Sequence, residues 1–176
     1  MQTKVCICDA IPSLTPSMEF VVLRHWKERL KPSNTARLAA HAIPGLQLVD
    51  YGAPGQPWDP ACLDLEGAAL LFPDPDAPTL TNPSRIIIVD GSWPQARKLV
   101  NKIDGLADLP RFKIQPPAEH RVRLRTPPQP GCVSTLEAIA AVLDLTEGPR
   151  SGDSLRALFD AAVHSATITR GRPLHA

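Results

Sequence analysis

Asp90 is the residue whose place in the sequence most clearly permits chemistry. It ends the apolar run RIIIVD (85–90) and is followed by Gly91 and by a helical pattern over 92–103. In an open parallel sheet, ligands bind beyond the carboxyl ends of the strands, and the next helix presents its free N–H groups there. A carboxylate at this edge can meet a ligand and exchange a proton with it. The structural alternative is that Asp90 caps a turn, as Asp-Gly pairs commonly do, and that Trp93 packs in the core.

Two proline-rich loops lie next to a predicted strand or helix, as the connection after Asp90 does. LLFPDPDAP (70–78) continues an apolar strand, and RTPPQPGCVSTLEA (125–138) leads into a helix. The connections after Phe72, after Asp90 and before Ser134 can therefore converge on one pocket, and their prolines favour a preformed site. The alternative is three unrelated surface turns.

The elements that must position these loops alternate between strand and helix. The runs 67–72 and 85–90 are apolar on both faces, which is typical of a parallel sheet that is covered on both sides. The alternation indicates one α/β domain over residues 1–176, with a mostly parallel sheet flanked by helices. The predicted strands are 19–23, 46–50, 67–72 and 85–90, with weaker candidates at 112–115 and 121–125.

Four segments carry helix signals. Ser92 and Ser134 each begin a capping-box pattern that precedes an amphipathic stretch. A third helix is predicted from about Asp153, and a shorter fourth helix near Asn34. The residues expected on buried helix faces are Ala96, Leu99, Val100, Ile103, Leu136, Ile139, Ala140, Leu143, Leu155, Leu158, Phe159 and Ala162.

Composition limits the classes of function. The chain has 176 residues and a formal net charge of +1, so a nucleic-acid partner would meet a local basic surface rather than a global field. The N-terminal sequence lacks a signal-peptide core, and no apolar run approaches the roughly 18 residues of a membrane span. We therefore expect a cytoplasmic protein with no membrane partner. Four cysteines in a chain of this size do not indicate a disulfide framework.

The sequence resembles the DTW-domain proteins, named for an Asp-x-Thr-Trp motif. The matching segments follow the family's order over most of the chain. The family's His-x-x-Glu and Asn-Thr-x-x-Leu elements both have counterparts in the first of these segments. The segments are LRHWKERLKPSNTARLA (23–39), LLFP (70–73), DGSW (90–93) for the motif itself, RVRLR (121–125) and STLEA (134–138).

This resemblance implies a tRNA-uridine aminocarboxypropyltransferase. Such an enzyme moves the 3-amino-3-carboxypropyl group of S-adenosylmethionine, rather than its methyl group, to N3 of a uridine. The related ribosomal-RNA enzymes imply a knotted SPOUT-like fold, with a C-terminal trefoil knot. Asp90 is then the expected general base for the N3 proton, and Trp93 would shield the donor from water. The residues expected to hold the donor are Asn34, Thr35, Leu71, Phe72, Pro73, Gly91, Ser92, Trp93, Ser134, Thr135 and Glu137.

Several of these residues have a structural alternative or depart from the family pattern. Asn34 and Thr35 can instead cap the helix that follows them. Ser92 replaces the Thr of the family motif and keeps its hydroxyl group. Relatives often open with a Cys-x-x-Cys pair before a Cys-x-Cys, whereas this chain has only Cys6 and Cys8 there. Two thiolates cannot complete a tetrahedral structural zinc site, so we expect no metal.

A tRNA partner requires a basic path across the surface. Arginines alternate along 121–125 and would share one face of a strand, and residues 24–37, beginning with Arg24, hold a second concentration of positive charge. Such groups contact phosphates and give affinity without sequence information. The alternative for each run is a solvated face. The residues expected to bind RNA are His25, Glu28, Lys31, Arg37, Arg121, Arg123 and Arg125.

Two other functions are compatible with the sequence. A SPOUT-type RNA methyltransferase would use the same donor and fold but transfer the methyl group. A non-catalytic RNA-binding module would keep the fold without the reaction. The complete DGSW (90–93) and STLEA (134–138) segments favour an enzyme over a binding module. The sequence indicates no obligate protein partner.

Overall fold

The computed structural model describes residues 5–73, 83–115, 122, 124 and 132–170. No helix within these ranges is long and apolar enough to cross a membrane. Short 3-10 helices lie at Cys8–Ala10, Trp26–Glu28 and Pro60–Cys62. The strands of the described chain are β1 (Glu19–His25), β2 (Gln47–Tyr51), β3 (Ala68–Leu71), β4 (Arg85–Asp90) and β5 (Arg111–Phe112). Its α-helices are α1 (Ala36–Ala42), α2 (Trp93–Lys102), α3 (Thr135–Thr146) and α4 (Asp153–Arg170).

The strands form one parallel sheet in the order β2-β1-β4-β3-β5. This confirms the predicted α/β domain with a parallel sheet. β4 has the predicted bounds 85–90, and β1, β2 and β3 begin and end within two residues of their predictions. β5 is shorter than the predicted 112–115 because it pairs only with Leu70 and Leu71, the last residues of β3. Of the candidate strand 121–125, only residues 122 and 124 are described.

Alternate residues of the strands face two separate cores. Phe20 and Val22 of β1 pack in the core that is covered by α1, α3 and α4. Val21 and Leu23 point to the opposite face, where α2 covers the sheet. Every residue predicted for the buried faces of α2, α3 and α4 is buried. The sheet is therefore covered on both sides, as the apolar runs predict.

Helices α2 and α3 begin with the predicted capping boxes. Gln95 Oε1 accepts a hydrogen bond from the backbone N of Ser92 at 2.7 Å, and Glu137 Oε2 accepts one from the backbone N of Ser134 at 2.9 Å. Helix α1 begins differently, because Thr35 at its N-cap makes no side-chain capping bond. The capping alternative for Thr35 is therefore wrong, and its hydroxyl group is engaged elsewhere.

Candidate active site

A row of three charged residues crosses the carboxyl edge of the sheet. Arg24 of β1 is in register with Asp50 of β2 on one side and with Asp90 of β4 on the other. In-register neighbours on parallel strands point to the same face, which here is the face covered by α1, α3 and α4. Arg24 is 5% exposed and Asp90 is 4% exposed. Arg24 and Asp90 therefore lie beneath the helices, whereas Asp50 is half-buried.

Two neutral donors hold the carboxylate of Asp90. Asn34 Nδ2 donates to Oδ2 at 2.5 Å, and Thr135 Oγ1 donates to Oδ1 at 2.9 Å. Both donors are buried as well. A buried carboxylate is costly unless it is hydrogen-bonded, and each carboxylate oxygen can accept more than one bond. The arrangement fixes the orientation of Asp90 and leaves it the capacity to accept a proton.

The guanidinium group of Arg24 is directed toward Asp50. Its Nε donates to Asp50 Oδ1 at 2.7 Å and its Nη2 to Oδ2 at 3.2 Å, which is a bidentate ion pair. The remaining terminal nitrogen, Nη1, donates to Asn34 Oδ1 at 3.4 Å. Asn34 therefore connects the ion pair to Asp90. The interpretation of Arg24 as part of an exposed basic surface is wrong, because its side chain is buried and paired.

The three predicted connections meet beside this row. The Phe72 ring stands edge-on to the Trp93 ring with centroids 5.7 Å apart, and Trp93 Nε1 donates to Cys132 Sγ at 3.1 Å. At the start of α3, the backbone N of Leu136 donates to Thr35 Oγ1 at 3.3 Å. Described residues of the three connections, Phe72 after β3, Trp93 after β4 and Cys132 before α3, are thus in contact through Trp93.

The other residues predicted to bind the donor surround this junction. Leu71 ends β3 and is half-buried, whereas Pro73 and Ser92 are exposed. Gly91 does not have a left-handed backbone conformation. A Cβ at Gly91 would lie 3.1 Å from the Cβ of Gln95, so close packing against α2 favours glycine there.

The residues predicted to bind RNA lie in different environments. Burial, together with the charge of Lys27, lowers the pKa of His25 below its ordinary value, so its ring is neutral at pH 7. Glu28 is fully buried and its carboxylate accepts a hydrogen bond from Lys31 Nζ at 2.6 Å. Lys31 and Arg37 are exposed. Arg121, Arg123 and Arg125 lie outside the described residues.

A cavity of about 380 Å³ adjoins the network around Asp90. It opens between α1 and α4, and Asn34 forms part of its wall. Arg37 and His41, one turn apart on α1, line it together with apolar residues such as Leu38 and Ala166. Arg37 therefore lies close to the Asn34 side of the site.

The described cysteines are free thiols. Cys6 Sγ and Cys8 Sγ are 3.0 Å apart and both residues are exposed. Cys62 is exposed, and Cys132 is half-buried against Trp93. Among the residues that the structure describes, no group of three or more His, Cys, Asp or Glu side chains could hold a metal ion.

The pairing of Arg24 with Asp50 is the feature of the site that sequence reasoning missed. Counting positive charges along the sequence places Arg24 among the residues expected to bind RNA. The position of Arg24 in β1 carries the missed signal. This strand is buried on both faces, and Arg24 has the same parity as Phe20 and Val22, which face the core covered by α1, α3 and α4. An arginine on a buried face requires a partner for its charge.

Comparisons with known proteins identify the family. Three similar proteins are named tRNA-uridine aminocarboxypropyltransferase 2: those of Drosophila melanogaster, Macaca fascicularis and Mus musculus are 28%, 28% and 29% identical over 157, 159 and 163 residues. The matches cover 81%, 82% and 82% of this chain but 62%, 53% and 53% of those proteins, so the chain spans about half to three fifths of their length. No solved structure gives a significant match. The DTW domain matches residues 1–167, and the chain therefore belongs to the DTW-domain family.

Proposed function

We propose that this chain transfers the 3-amino-3-carboxypropyl group of S-adenosylmethionine to N3 of a uridine in tRNA. Membership of the DTW-domain family and the names of the relatives support this reaction class. The structural observation that carries the proposal is Asp90, a buried carboxylate that two neutral donors hold at the carboxyl end of β4.

Asp90 is the proposed general base. The N3–H group of uridine is weakly acidic, so N3 attacks an electrophilic carbon only as its proton leaves. Asp90 accepts that proton while N3 forms its new bond to the γ-carbon of the aminocarboxypropyl group. When bound, S-adenosylmethionine would supply that carbon. Its sulfur atom would keep the electron pair of the broken carbon–sulfur bond, and methylthioadenosine would leave. Asn34 and Thr135 keep the carboxylate in the orientation that the proton transfer requires.

The loop junction fits such a donor. Phe72 and Trp93 form a half-buried aromatic surface, and the guanidinium group of Arg111 lies 5.7 Å from the centre of the Phe72 ring. An aromatic surface suits a purine ring and excludes water from it. The N-terminal end of α2, at Ser92, carries the partial positive charge that favours a carboxylate. We therefore assign donor binding to the junction of the three loops.

RNA binding is assigned to the basic residues around α1 and to the arginines of 121–125. Lys31 and Arg37 are exposed, and Arg37 lines the cavity that Asn34 also lines. A phosphate at Arg37 would bring the RNA backbone close to the network that ends at Asp90. The buried Glu28 would act on RNA only by holding Lys31 in place.

Three further assignments rest on the sequence and the family resemblance. We propose a SPOUT-like fold with a C-terminal trefoil knot, in a region of the chain that the structure describes only in part. We also propose that the reaction requires no metal and takes place in the cytoplasm. The chemistry agrees with a metal-free reaction, because proton transfer to Asp90 needs no Lewis acid.

Product analysis tests the proposed reaction. Purified protein is incubated with S-adenosylmethionine and tRNA in the presence of a metal chelator, and the nucleosides and the small-molecule by-product are identified by mass. We expect aminocarboxypropyluridine together with methylthioadenosine. Release of S-adenosylhomocysteine would instead identify a methyltransferase, and RNA binding without either product would identify a binding module. Donor binding that appears only after zinc is added would contradict the metal-free site.

A further inference from the structure

Arg24 has two carboxylates within its reach. Asp50 and Asp90 are its in-register neighbours on the two adjacent strands, and such strands lie about 4.8 Å apart. Asp50 receives two guanidinium nitrogens, at 2.7 and 3.2 Å, whereas the described contacts of Asp90 are with Asn34 and Thr135. The positive charge is therefore paired on the side away from Asp90.

This choice of partner matters for a carboxylate that has to accept a proton. A cation within about 4–6 Å favours the ionised form of a carboxylate and makes it a weaker proton acceptor, typically by about 1–3 pH units. Neutral hydrogen-bond donors orient a carboxylate without bringing a full charge to it. We propose that Arg24 and Asp50 are positioning residues for Asp90, and that Asp50 keeps the charge of Arg24 away from it. The proposal rests on the proposed role of Asp90 as the general base.

Arg24 has a second effect, which acts through Asn34. Because Arg24 Nη1 donates to Asn34 Oδ1, the Nδ2 group of the same amide must face Asp90. If the amide were reversed, its oxygen and the Asp90 carboxylate would face each other without a proton between them. Arg24 therefore fixes the amide in the orientation that donates to Asp90. Its described hydrogen bonds are with Asp50 and Asn34, so it acts on Asp90 through Asn34, which makes it a positioning residue.

The other charged groups around the row have partners of their own. On α3, Glu137 accepts a hydrogen bond from a backbone N–H of its own capping box. In the turn after β1, Glu28 accepts one from the neighbouring lysine. Arg29 reaches Asp50 from the surface at 3.8 Å, and His25 lies on the opposite face of β1, near Gln95 of α2. Among the described carboxylates, Asp50 is therefore the one that pairs with the guanidinium group of Arg24.

Carboxyl-carbon NMR of protein labelled at its aspartates tests the inference directly. The Asp90 signal is assigned by its loss in Asp90→Asn, and its titration is followed in the parent, in Asp50→Asn and in the double variant Arg24→Gln with Asp50→Asn. We expect the midpoint to move down by about one pH unit or more in Asp50→Asn, because the freed guanidinium turns toward Asp90. It should move back up in the double variant, which lacks the cation. Equal midpoints in the parent and in Asp50→Asn would overturn the proposal.

A further variant and a kinetic measurement keep the test decisive. Melting curves report whether each variant folds. If Asp50→Asn does not fold, Arg24→Gln takes its place, and its midpoint should stay within about one pH unit of the parent's, because Asp50 already holds the charge of Arg24 away from Asp90. A midpoint that rises by more than this would overturn the proposal, because it would show that Arg24 acts on Asp90 in the parent. In single-turnover transfer, Asp50→Asn should lose up to about tenfold in rate while Asp50→Glu recovers most of it. The titration can be measured without catalysis. An active Asp90→Asn variant would refute the role of Asp90 as the general base, but it would not decide whether Asp50 keeps the charge of Arg24 away from Asp90.

Discussion

At the scale of single residues, the site consists of buried polar groups that bond across elements rather than within them. Asn34 and Thr135 come from different parts of the chain and both donate to Asp90. Thr35, one residue after Asn34, accepts from the backbone of α3. A buried donor or acceptor that loses its partner costs about 1–3 kcal/mol. Stability and the geometry of the site therefore depend on the same few side chains.

Thr35→Val tests this dependence. Valine has nearly the shape of threonine but leaves the buried backbone N of Leu136 without its acceptor. We expect a loss of about 1–3 kcal/mol in the free energy of unfolding, measured by urea denaturation. Thr35→Ser retains the hydroxyl group and is the matched control. If the valine and serine variants have the same stability, the Thr35–Leu136 bond does not tie α1 to α3.

At the scale of elements, the local sequence was sufficient to predict where most strands and helices begin and end. β4 has its predicted bounds because the run 85–90 is apolar on both faces and stops at Asp-Gly. α2 and α3 start where their capping boxes begin. β5 is the exception, since its length follows from the end of β3, a pairing that no local pattern in 111–115 identifies.

Gly152, which precedes α4, shows how closely two elements approach. A Cβ at this residue would lie 2.2 Å from the backbone oxygen of Ala140 in α3, which cannot move aside as a flexible side chain could. We expect Gly152→Ala to lower the free energy of unfolding by about 2–3 kcal/mol, measured by urea denaturation. Gly45→Ala is the control, because nothing lies within 4 Å of a Cβ there. Equal stability of the two variants would refute this packing.

The α3–α4 junction also predicts a dependence of stability on pH. Partial burial opposes the ionisation of Asp144, but hydrogen bonds from Arg156 and the backbone of Gly152 outweigh it and hold the pKa of Asp144 below its ordinary value. This contribution to stability is complete above the unfolded pKa, near 4, and is lost as the pH falls through the folded value.

The melting temperature of the parent should therefore fall more steeply below about pH 4 than that of Asp144→Asn, which has no carboxylate to protonate. The measurement is a series of melting curves between neutral and acidic pH. Asp108→Asn, at an exposed position, is the control and should keep the slope of the parent. An unchanged slope in Asp144→Asn would show that the junction does not contribute to acid sensitivity.

At the scale of the whole molecule, the site depends on contacts between distant parts of the chain. Asn34 and Asp90 are 56 residues apart, and Thr135 and Asp90 are 45 apart. The sequence indicates that strand ends and loops converge, because parallel strands present their carboxyl ends at one edge. It does not indicate which side chains meet there. The partner of Arg24 depends on the register of three strands, which local patterns leave open.

The proposed RNA binding also belongs to the scale of the whole molecule. Arg37→Gln, and separately Arg123→Gln combined with Arg125→Gln, should weaken tRNA binding and flatten its dependence on salt, because each lost phosphate contact removes released counterions. Lys102→Gln, on the exposed end of α2 across the sheet, is the control. Affinity is measured over a series of salt concentrations. Unchanged affinity and slope would identify these residues as a solvated surface.

Single-turnover transfer to tRNA by Asp90→Asn, measured against pH beside a melting curve, tests the central claim most directly. The substituted amide can accept from Asn34 and donate to the Thr135 hydroxyl, so we expect the fold and donor affinity to be nearly unchanged. The rate should fall on the order of 10²–10⁴-fold, and higher pH should restore part of it because more uridine is then already deprotonated. A variant that melts normally and transfers at the rate of the parent would contradict the claim that Asp90 accepts the proton.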